Sequence, residues 1–281
     1  MKRSLNQKTV LITGASSGIG AACAQAFAQR GCRVVLASRN LDALLALQAS
    51  LPTGQSHCVQ ADVSVEADCR RMVVEAVERF GSLDVLVNNA GISMRALFRD
   101  TAPSVLRQLM DTNFWGAVYT THYALPHLLK NRGSVVGVSS IAGYRGLPGR
   151  TGYSASKFAM QGFLESLRSE HLHDGLQVLV ICPGFTASNI RNNALNAAGS
   201  TQGESPRNEG AMMTAAEVAE HLVKGVENNS RTIVLTTQGK LTVFLNKWFP
   251  AFMDKMVYNH LAKEPDSPFA KGNQDKKQHG S

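Results

Sequence analysis

Tyr153 and Lys157 are the two residues of this chain whose types and spacing best suit acid–base chemistry. They lie four residues apart in a segment with a helical pattern, so both side chains share one face, about one turn apart. A phenol has a reference pKa of about 10, and a neighbouring ammonium lowers that pKa because it favours the phenolate. A tyrosine tuned in this way can donate or accept a proton near neutral pH. The same spacing also occurs on ordinary amphipathic helices with a snorkelling lysine, so the pair alone does not identify an enzyme.

Ser140 and Asn113 are two further polar residues that fit a site around Tyr153. Ser140 directly follows a predicted strand, and its hydroxyl could hold a substrate oxygen beside the phenol; a serine that only completes a turn is the alternative. Asn113 lies in the middle of a predicted helix, where asparagine is mildly unfavourable, so we expect a hydrogen-bonding role for its side chain.

A glycine-rich segment near the N-terminus has the pattern of a nucleotide-binding turn. Residues Thr13-Gly14-Ala15-Ser16-Ser17-Gly18-Ile19-Gly20 follow an apolar run at 9–12 and precede a helical pattern at 21–29. A helix start presents unpaired N–H groups and the positive end of the helix dipole to a phosphate, and glycine lets the ligand approach the backbone. The spacing is not Gly-x-Gly-x-x-Gly and no Lys-Ser or Lys-Thr follows, so a P-loop is not expected. A tight strand–helix turn without a ligand is the alternative.

Apolar strands alternate with helical segments along most of the chain. Strands are predicted at 9–12, 34–37, 57–60, 83–87, 134–138, 177–181 and 231–235, and helices at 41–51, 66–80, 103–131, 152–173 and 217–227. Such an order indicates a parallel sheet covered on both faces, and right-handed crossovers make it doubly wound. We therefore predict one Rossmann-like α/β domain with a seven-stranded parallel sheet over residues 1–238, followed by a C-terminal helical extension. Ligands of such folds bind beyond the carboxyl ends of the strands.

The composition argues against several other classes of protein. With 281 residues, 44% of them hydrophobic, the chain can bury a sizeable core. Its net charge of +8 includes no basic block interleaved with aromatic residues, so nucleic-acid binding is not expected. The five cysteines form no Cys-x-x-Cys pair, which predicts neither a disulfide framework nor a metal site. The lack of a signal-like segment at 1–8 and of a membrane-spanning run predicts a cytoplasmic protein, peripheral to a membrane at most.

Taken together, these motifs resemble those of the short-chain dehydrogenases/reductases. The resemblance covers roughly residues 5–238. It rests on the order and spacing of Thr13 to Gly20, Asn88-Asn89-Ala90-Gly91, Asn113, Ser140, Tyr153-Ser154-Ala155-Ser156-Lys157 and Pro183-Gly184. It implies hydride transfer between a nicotinamide cofactor and a carbonyl or a secondary alcohol.

The resemblance also implies a role for each catalytic residue. Tyr153 is expected to be the general acid in reduction and the general base in oxidation. Lys157 is expected to hydrogen-bond the nicotinamide ribose and to lower the pKa of Tyr153. Ser140 would position the substrate oxygen, and Asn113 would hold a water that relays protons from Lys157.

The cofactor contacts implied by the resemblance fall into four groups along the sequence. They are Gly14, Ser16, Ser17, Gly18, Ile19 and Gly20 in the first turn, Asp62 and Val63 at the adenine, Asn89, Ala90 and Gly91 at the ribose, and Pro183 and Gly184 beside the nicotinamide. Asn88 is expected to tie strands together instead. The family often has a threonine five residues after the proline, where this chain has Ser188. Thr186 comes two residues earlier, so either hydroxyl is a candidate for the nicotinamide carboxamide.

Ser38 and Arg39 decide the expected cofactor. Members of the family that prefer NAD carry an acidic residue at the end of the second strand, where this chain has Ser38. The arginine that follows can pair with a 2′-phosphate and stack on adenine. We therefore expect NADP(H), with NAD(H) as the alternative if Arg39 is only a solvated surface charge.

The substrate is expected to be a small apolar carbonyl or alcohol, because apolar residues dominate the loops near the site. The predicted pocket wall consists of Met94, Leu97, Phe98, Tyr144, Leu147 and Phe185. Arg95, Arg99 and Arg145 lie nearby in sequence and could meet an anionic group. A segment rich in Asn, Ser, Gly and Ala, at about 186–213, is expected to form a flap over the crevice.

The C-terminal part of the chain is apolar and aromatic at 239–262, and polar at 263–281. Pro250 should divide the apolar part into two short helices, which Lys240, Lys247 and Lys255 interrupt with positive charge. Three roles are open: a wall over the active site, packing on a second subunit, or an amphipathic surface in peripheral contact with a membrane. The polar tail is expected to be disordered.

These observations favour an NADPH-dependent carbonyl reductase. An NAD(P)-dependent secondary-alcohol dehydrogenase that works oxidatively is one alternative, and a non-catalytic NADP-sensing binding protein is another. The resemblance also implies a homodimer or homotetramer, paired through the long helices that begin near Pro103 and Gly152.

Overall fold

The protein is built on one parallel β-sheet of seven strands. The computed structural model describes residues 2–184, 186, 190, 193–201, 212–264 and 267–268. Its strand order is β3-β2-β1-β4-β5-β6-β7, so the chain reverses direction across the sheet between β1 and β4. The strands are β1 (Thr9–Thr13), β2 (Arg33–Ser38), β3 (Ser56–Gln60), β4 (Val85–Asn88), β5 (Ser134–Val138), β6 (Gln177–Cys182) and β7 (Thr232–Val234). The predicted Rossmann-like, doubly wound fold is confirmed.

Helices cover both faces of this sheet. In chain order they are α1 (Gly18–Gln29), α2 (Leu41–Ala49), α3 (Glu66–Phe80), α4 (Pro103–Met110), α5 (Gly116–Lys130), α6 (Thr151–Glu170), α7 (Ala215–Glu227), α8 (Thr237–Trp248) and α9 (Pro250–Ala262). Alternate residues of β1 enter opposite layers: Val10 and Ile12 pack with α1 and α7, whereas Leu11 packs with α3 and α5. The inner strands β1, β4 and β6 are buried throughout and mainly apolar, because helices cover both faces of the sheet.

The helix predicted at 103–131 contains a local irregularity. Between α4 and α5, residues Asp111–Trp115 form a π-helical segment without a break in the chain. Such segments are rare, and they occur mostly as single-turn bulges inside α-helices, often at functional sites. Asn113 lies at the centre of this segment and is fully buried.

The last two helices form a hairpin that packs against the carboxyl edge of the sheet. Pro250 begins α9, as predicted, because proline suits the first turn of a helix and cannot continue α8. Met253, Val257 and Leu261 of α9 pack with Leu97 and Leu147 of the loops above the sheet. Among the described residues, no helix is long and apolar enough to cross a membrane.

Arg145 holds both helices of this hairpin. Its guanidinium donates to Asn246 of α8 (Nη1–Oδ1 3.0 Å) and pairs with Asp254 of α9. Asn246 also donates from Nδ2 to the carbonyl of Tyr144 (3.0 Å), so the hairpin is attached to the loop that follows Ser140.

Candidate active site

A cavity of about 760 Å³ opens beyond the carboxyl ends of the strands. Such folds bind their ligands there, at the point where the strand order reverses. Of the predicted site residues, those that line it are Gly14, Ser16, Ser17, Gly18, Ile19, Ser38, Arg39, Asp62, Val63, Asn89, Ala90, Gly91, Ser140, Leu147, Tyr153, Lys157, Pro183, Gly184 and Thr186. Gly20 and Asn113 lie behind this surface, while Phe185 and Ser188 fall outside the described residues.

The first turn is shaped so that only glycine fits at two positions. Gly14 has a positive φ of +66°, and a Cβ there would lie 2.8 Å from the Cα of Ala90. A Cβ on Gly20 would lie 2.2 Å from the Gly14 carbonyl oxygen, so this glycine lets α1 approach the turn. The Ser17 side chain makes no capping hydrogen bond, and the first turn of α1 carries no acidic residue. Its N–H groups can therefore meet an anionic phosphate in the cavity.

Asn89 and Thr13 join the ends of β1 and β4 beneath this turn. Asn89 Nδ2 donates to the carbonyls of Thr13 (2.9 Å) and Gly14 (3.2 Å), and Thr13 Oγ1 accepts from the Ala90 N–H (3.1 Å). Asn88, which was predicted to tie strands together, instead donates to Thr121 of α5 (2.9 Å). The prediction for Asn88 was wrong because this side chain leaves the sheet toward the helix layer.

Ser38 and Arg39 lie at the far end of the cavity from Tyr153. Ser38 Oγ accepts from the Asn40 N–H at 3.0 Å, just before α2 begins. The Arg39 side chain is 70% exposed, and its Nη1 lies 3.7 Å from Asp62 Oδ2. A pair this exposed contributes little to stability, so Arg39 can turn toward a ligand at small cost.

Tyr153, Ser140 and Lys157 meet at the inner end of the cavity. The Tyr153 hydroxyl is hydrogen-bonded to the Ser140 side chain. Ser140 Oγ in turn accepts from the Ala142 N–H at 3.1 Å, which fixes it at the exit of β5. Lys157 Nζ donates to the carbonyl of Val138 at 2.9 Å and lies 5.9 Å from the centroid of the Tyr153 ring. The spacing on α6 thus places both side chains on one face, as predicted.

Burial controls the pKa values of these two groups. Burial raises the pKa of Tyr153 above its usual value, although the Ser140 hydrogen bond and the charge of Arg150 oppose that change. Burial also lowers the pKa of Lys157 to about 8. The pKa of Tyr153 is thus raised, where the sequence predicted that Lys157 would lower it, because burial outweighs the opposing effects of Ser140 and Arg150.

Asn113 acts through its neighbours, since its side chain does not reach the cavity. Its Oδ1 accepts from the Ile92 N–H (2.8 Å), and its Nδ2 donates to the Ile92 carbonyl (2.9 Å) and to Ser156 Oγ (2.9 Å). Ser156 also donates to the carbonyl of Tyr153 (2.8 Å). Asn113 therefore joins the loop after β4 to the turn of α6 that carries Tyr153 and Lys157. Because both protons of its side-chain amide are donated to protein groups, the Asn113 side chain has no proton to donate to a relay water.

Four residues predicted for the pocket wall lie outside the cavity lining. Leu97 packs with Met253 and Val257 of α9, and Phe98 is exposed to solvent. Met94 is fully buried in a cluster with Leu109 and Tyr153, behind the cavity surface. Tyr144 packs in the core layer and its hydroxyl is hydrogen-bonded to Cys182. These four predictions were wrong because position in a loop does not determine which way a side chain points. Leu147 does line the cavity.

Three arginines that were candidates for an anionic substrate have partners on the protein. Arg95 Nη2 lies 3.7 Å from Glu264 Oε2, and Arg145 pairs with Asp254. Arg99 is exposed and lies 3.8 Å from Asp100.

The hairpin forms part of the cavity wall, but the sequence did not predict which of its residues would do so. The residues of α8 and α9 in this wall are Gln238, Gly239, Thr242, Met256, Val257, His260 and Leu261. The helical spacing of Val257 and Leu261 was the available signal, because an apolar i, i+4 pair must face a neighbour. Gln108 and Arg150 also line the cavity without having been predicted.

Comparison with known proteins identifies the family. A family model described as short chain dehydrogenase matches residues 8–198. The chain belongs to the short-chain dehydrogenase/reductase family. Among similar proteins, mouse dehydrogenase/reductase SDR family member 7B is 35% identical over 95% of this chain and 85% of its own length. The Arabidopsis thaliana 11-beta-hydroxysteroid dehydrogenase-like 4A is 43% identical over 67% of this chain and 64% of its own length.

Solved structures of this family share the fold. A short-chain dehydrogenase/reductase from Burkholderia phymatum, in complex with NAD, has a TM-score of 0.80 at 22% identity, over 89% of this chain and 96% of that one. A short-chain dehydrogenase from Streptomyces avermitilis has a TM-score of 0.73 at 27% identity, over 89% and 99% of the two chains. The chain is thus an oxidoreductase of a family that binds NAD(P), and its fold is that of the family.

Proposed function

We propose that this protein is an NADPH-dependent reductase that converts the carbonyl of an apolar substrate to an alcohol. The observation that carries the proposal is the meeting of Tyr153, Ser140 and Lys157 at one end of the cavity that has Ser38 and Arg39 at the other. A glycine turn at the start of α1 lies between the two ends and suits the phosphates of a dinucleotide.

In this proposal Ser140, Tyr153 and Lys157 have different roles at the substrate carbonyl. A bound reduced nicotinamide supplies the hydride. Ser140 orients the carbonyl oxygen toward the phenol, and Tyr153 donates its proton to that oxygen as the alcohol forms. The Lys157 ammonium then stabilises the phenolate that this transfer leaves behind. The raised pKa of Tyr153 suits this direction, because it keeps the phenol protonated before the transfer.

The apolar substrate is inferred from the side of the cavity opposite the cofactor turn. Ile141, Leu147, Leu195, Val257 and Leu261 line this part. Replacing water by such side chains favours a hydrocarbon-rich substrate, and it strengthens the hydrogen bonds at the carbonyl oxygen.

The reaction is tested by following NADPH consumption against a panel of apolar aldehydes, ketones, quinones and keto-lipids. Tyr153→Phe should lower kcat by at least about 100-fold, because it removes the proton donor. NADPH should still bind to this variant, as measured by its fluorescence. If Tyr153→Phe retains full turnover, the proposed mechanism is wrong.

The cofactor preference is tested with a matched pair of arginine variants. Arg39 and Arg99 are similarly exposed, at 70% and 68%, and each has one carboxylate nearby, at 3.7 and 3.8 Å. Arg39→Ala should raise the KM for NADPH by about tenfold through loss of the 2′-phosphate contact, and leave the KM for NADH unchanged. Arg99→Ala should change neither. Equal effects of the two variants, or equal use of NADH by the wild type, would refute the NADPH preference.

The oxidative alternative is favoured by the name of one relative. The similar Arabidopsis protein is called a hydroxysteroid dehydrogenase-like protein, which suggests a secondary alcohol as substrate. The same assay run with NADP⁺ and apolar secondary alcohols measures that direction. Oxidation faster than reduction at pH 7 would favour a dehydrogenase, and tight NADPH binding without turnover in either direction would favour a sensor.

We also propose that the protein forms a homodimer or homotetramer through α5 and α6. Trp115, directly before α5, and Phe158 of α6 are exposed, and Trp115 stacks on Tyr119 with ring centroids 5.6 Å apart. Light scattering should give a mass of two or four chains, and Phe158→Ser should reduce it. A monomeric wild type at micromolar concentration would refute this proposal.

A further inference from the structure

The hairpin of α8 and α9 presents an unusually apolar outer surface. Leu241, Phe244 and Trp248 of α8 follow one another at spacings of three and four residues. Phe249, at the junction of the two helices, and Phe252 and Met256 of α9 repeat these spacings. Each spacing gathers its residues on one helix face. Phe244, Trp248 and Phe252 are 59%, 62% and 57% exposed, whereas the inner residues Met253 and Val257 are buried. We call the six exposed residues the outer surface of the hairpin.

Positive charge accompanies this outer surface. The exposed lysines of the hairpin and its end are Lys240, Lys247, Lys255 and Lys263. The acidic residues of the same segment, Asp254 and Glu264, pair with Arg145 and Arg95 of the main domain. The carboxylates are thus engaged with the domain, and the lysine charges remain directed to solvent around exposed aromatic side chains.

We propose that the outer surface of the hairpin docks on an anionic lipid bilayer. Large aromatic side chains favour the boundary between headgroups and acyl chains, and lysines attract anionic headgroups. Charge complementarity selects a lipid surface over a second copy of this chain, because two such surfaces would bring their lysines together. The segment is interfacial, since no helix among the described residues is long and apolar enough to span a membrane.

The outer surface borders the mouth of the active-site cavity. Met256 belongs to the outer surface and also lines the cavity, beside Val257 and His260 of the same helix. Docking would therefore place the mouth against the lipid, so that an apolar substrate could pass from the bilayer to Tyr153 without crossing water. This route rests on the proposed function, whereas the docking itself does not.

The experiment is flotation of the full-length protein with vesicles of phosphatidylcholine, alone or containing about 30% phosphatidylserine. Wild-type protein should float with the anionic vesicles, less so at high salt, and weakly with the neutral ones. Trp248→Ser/Phe252→Ser should weaken this binding by at least about tenfold. Leu172→Ser is the matched control, since Leu172 is 64% exposed and lies outside the hairpin; it should bind as the wild type does.

A second pair of variants separates local charge from net charge. Lys255→Glu and Lys130→Glu change the net charge equally, and both lysines are exposed. Lys255→Glu should weaken binding by at least about fivefold, because a lysine at the surface contributes about that factor. Lys130→Glu on α5 should have a smaller effect. Equal effects of these two variants would refute docking through the hairpin.

Three further outcomes would overturn the proposal. They are absence of wild-type binding to anionic vesicles, equal binding by Trp248→Ser/Phe252→Ser and Leu172→Ser, and self-association without lipid that this double variant abolishes. The last would assign the surface to a second copy of the chain. The double variant should keep the wild-type kcat for a water-soluble carbonyl, because neither residue lines the cavity. A wild type that binds vesicles but turns over no carbonyl would refute the proposed function and leave the docking standing.

Discussion

Replacing Lys157 by methionine should make the protein without cofactor more stable at pH 7 while it abolishes turnover. Lys157 is 3% exposed and its charge is held without a carboxylate partner among the described residues. Burial lowers its pKa from 10.5 to about 8, a difference that corresponds to about 3 kcal/mol of folding free energy. Methionine removes this cost, but it also removes the hydrogen bond to the Val138 carbonyl, worth about 1 kcal/mol. The expected net gain at pH 7 is about 2 kcal/mol.

The sign of the pH dependence follows from the two protonation states. Below about pH 8 the lysine is protonated in the folded and the unfolded chain, so the wild type carries the full cost of burying the charge. Between about pH 8 and 10.5 the unfolded chain holds more protons, so the stability of the wild type rises with pH. The advantage of Lys157→Met should therefore be largest at pH 7 and disappear toward pH 10.5.

Urea unfolding followed by circular dichroism, at several pH values from 7 to 10.5, measures this difference. Tyr153→Phe is the control: burial raises the pKa of Tyr153 above 10.0, so its effect on the free energy of unfolding should be constant from pH 7 to about 9. A Lys157→Met variant that is less stable than the wild type by the same amount at pH 7 and pH 10 would refute the reasoning. That result would mean that the lysine packs as a neutral or well-solvated group.

Three further substitutions have expected effects of known direction. Gly20→Ala should destabilise the protein by about 1–3 kcal/mol and weaken NADPH binding, because its Cβ would meet the Gly14 carbonyl at 2.2 Å; thermal unfolding and NADPH fluorescence measure the two effects. Asn113→Ala should cost about 2 kcal/mol in urea unfolding, since it leaves the partly buried N–H and carbonyl of Ile92 without their partner. Thr214→Ala should lower the free energy of unfolding by about 1 kcal/mol in thermal unfolding, because it breaks the capping box of α7. Thr214→Ser should keep most of this stability, because the serine hydroxyl can make the same hydrogen bond.

The sheet and the placement of Tyr153 and Lys157 on one face of α6 could be predicted because the sequence carries their physical causes locally. Strand β1 carries the apolar run Val10 to Ile12 because both faces of the sheet are covered. The four-residue spacing of Tyr153 and Lys157 places them on one face of any regular helix. The turn after β1 needs glycine at Gly14 and Gly20 for steric reasons, which makes it visible as a motif. In each case the property depends on neighbours within one element.

The features that escaped prediction depend on contacts between elements. Nothing in the periodicity of 103–131 distinguishes the π-helical segment around Asn113 from an ordinary helix turn. Tyr144 was expected in the pocket, but its hydroxyl finds Cys182 in the core, a partner that lies 38 residues further along the chain. The cavity wall formed by Val257 and its neighbours requires the hairpin to fold back over the sheet. From the sequence, this wall was only one of three possible roles for the C-terminal helices.

The attachment of both hairpin helices to Arg145 has a consequence for how the site opens. The guanidinium holds Asn246 of α8 and Asp254 of α9 together, so release of one helix strains the contact of the other. Backbone amides of α8 and α9 should then exchange with deuterium at a common free energy of opening, lower than that of the sheet, as one cooperative unit. Since Val257 lines the cavity from this unit, that single opening free energy would also set the fraction of time in which the cavity around Tyr153 is exposed to solvent.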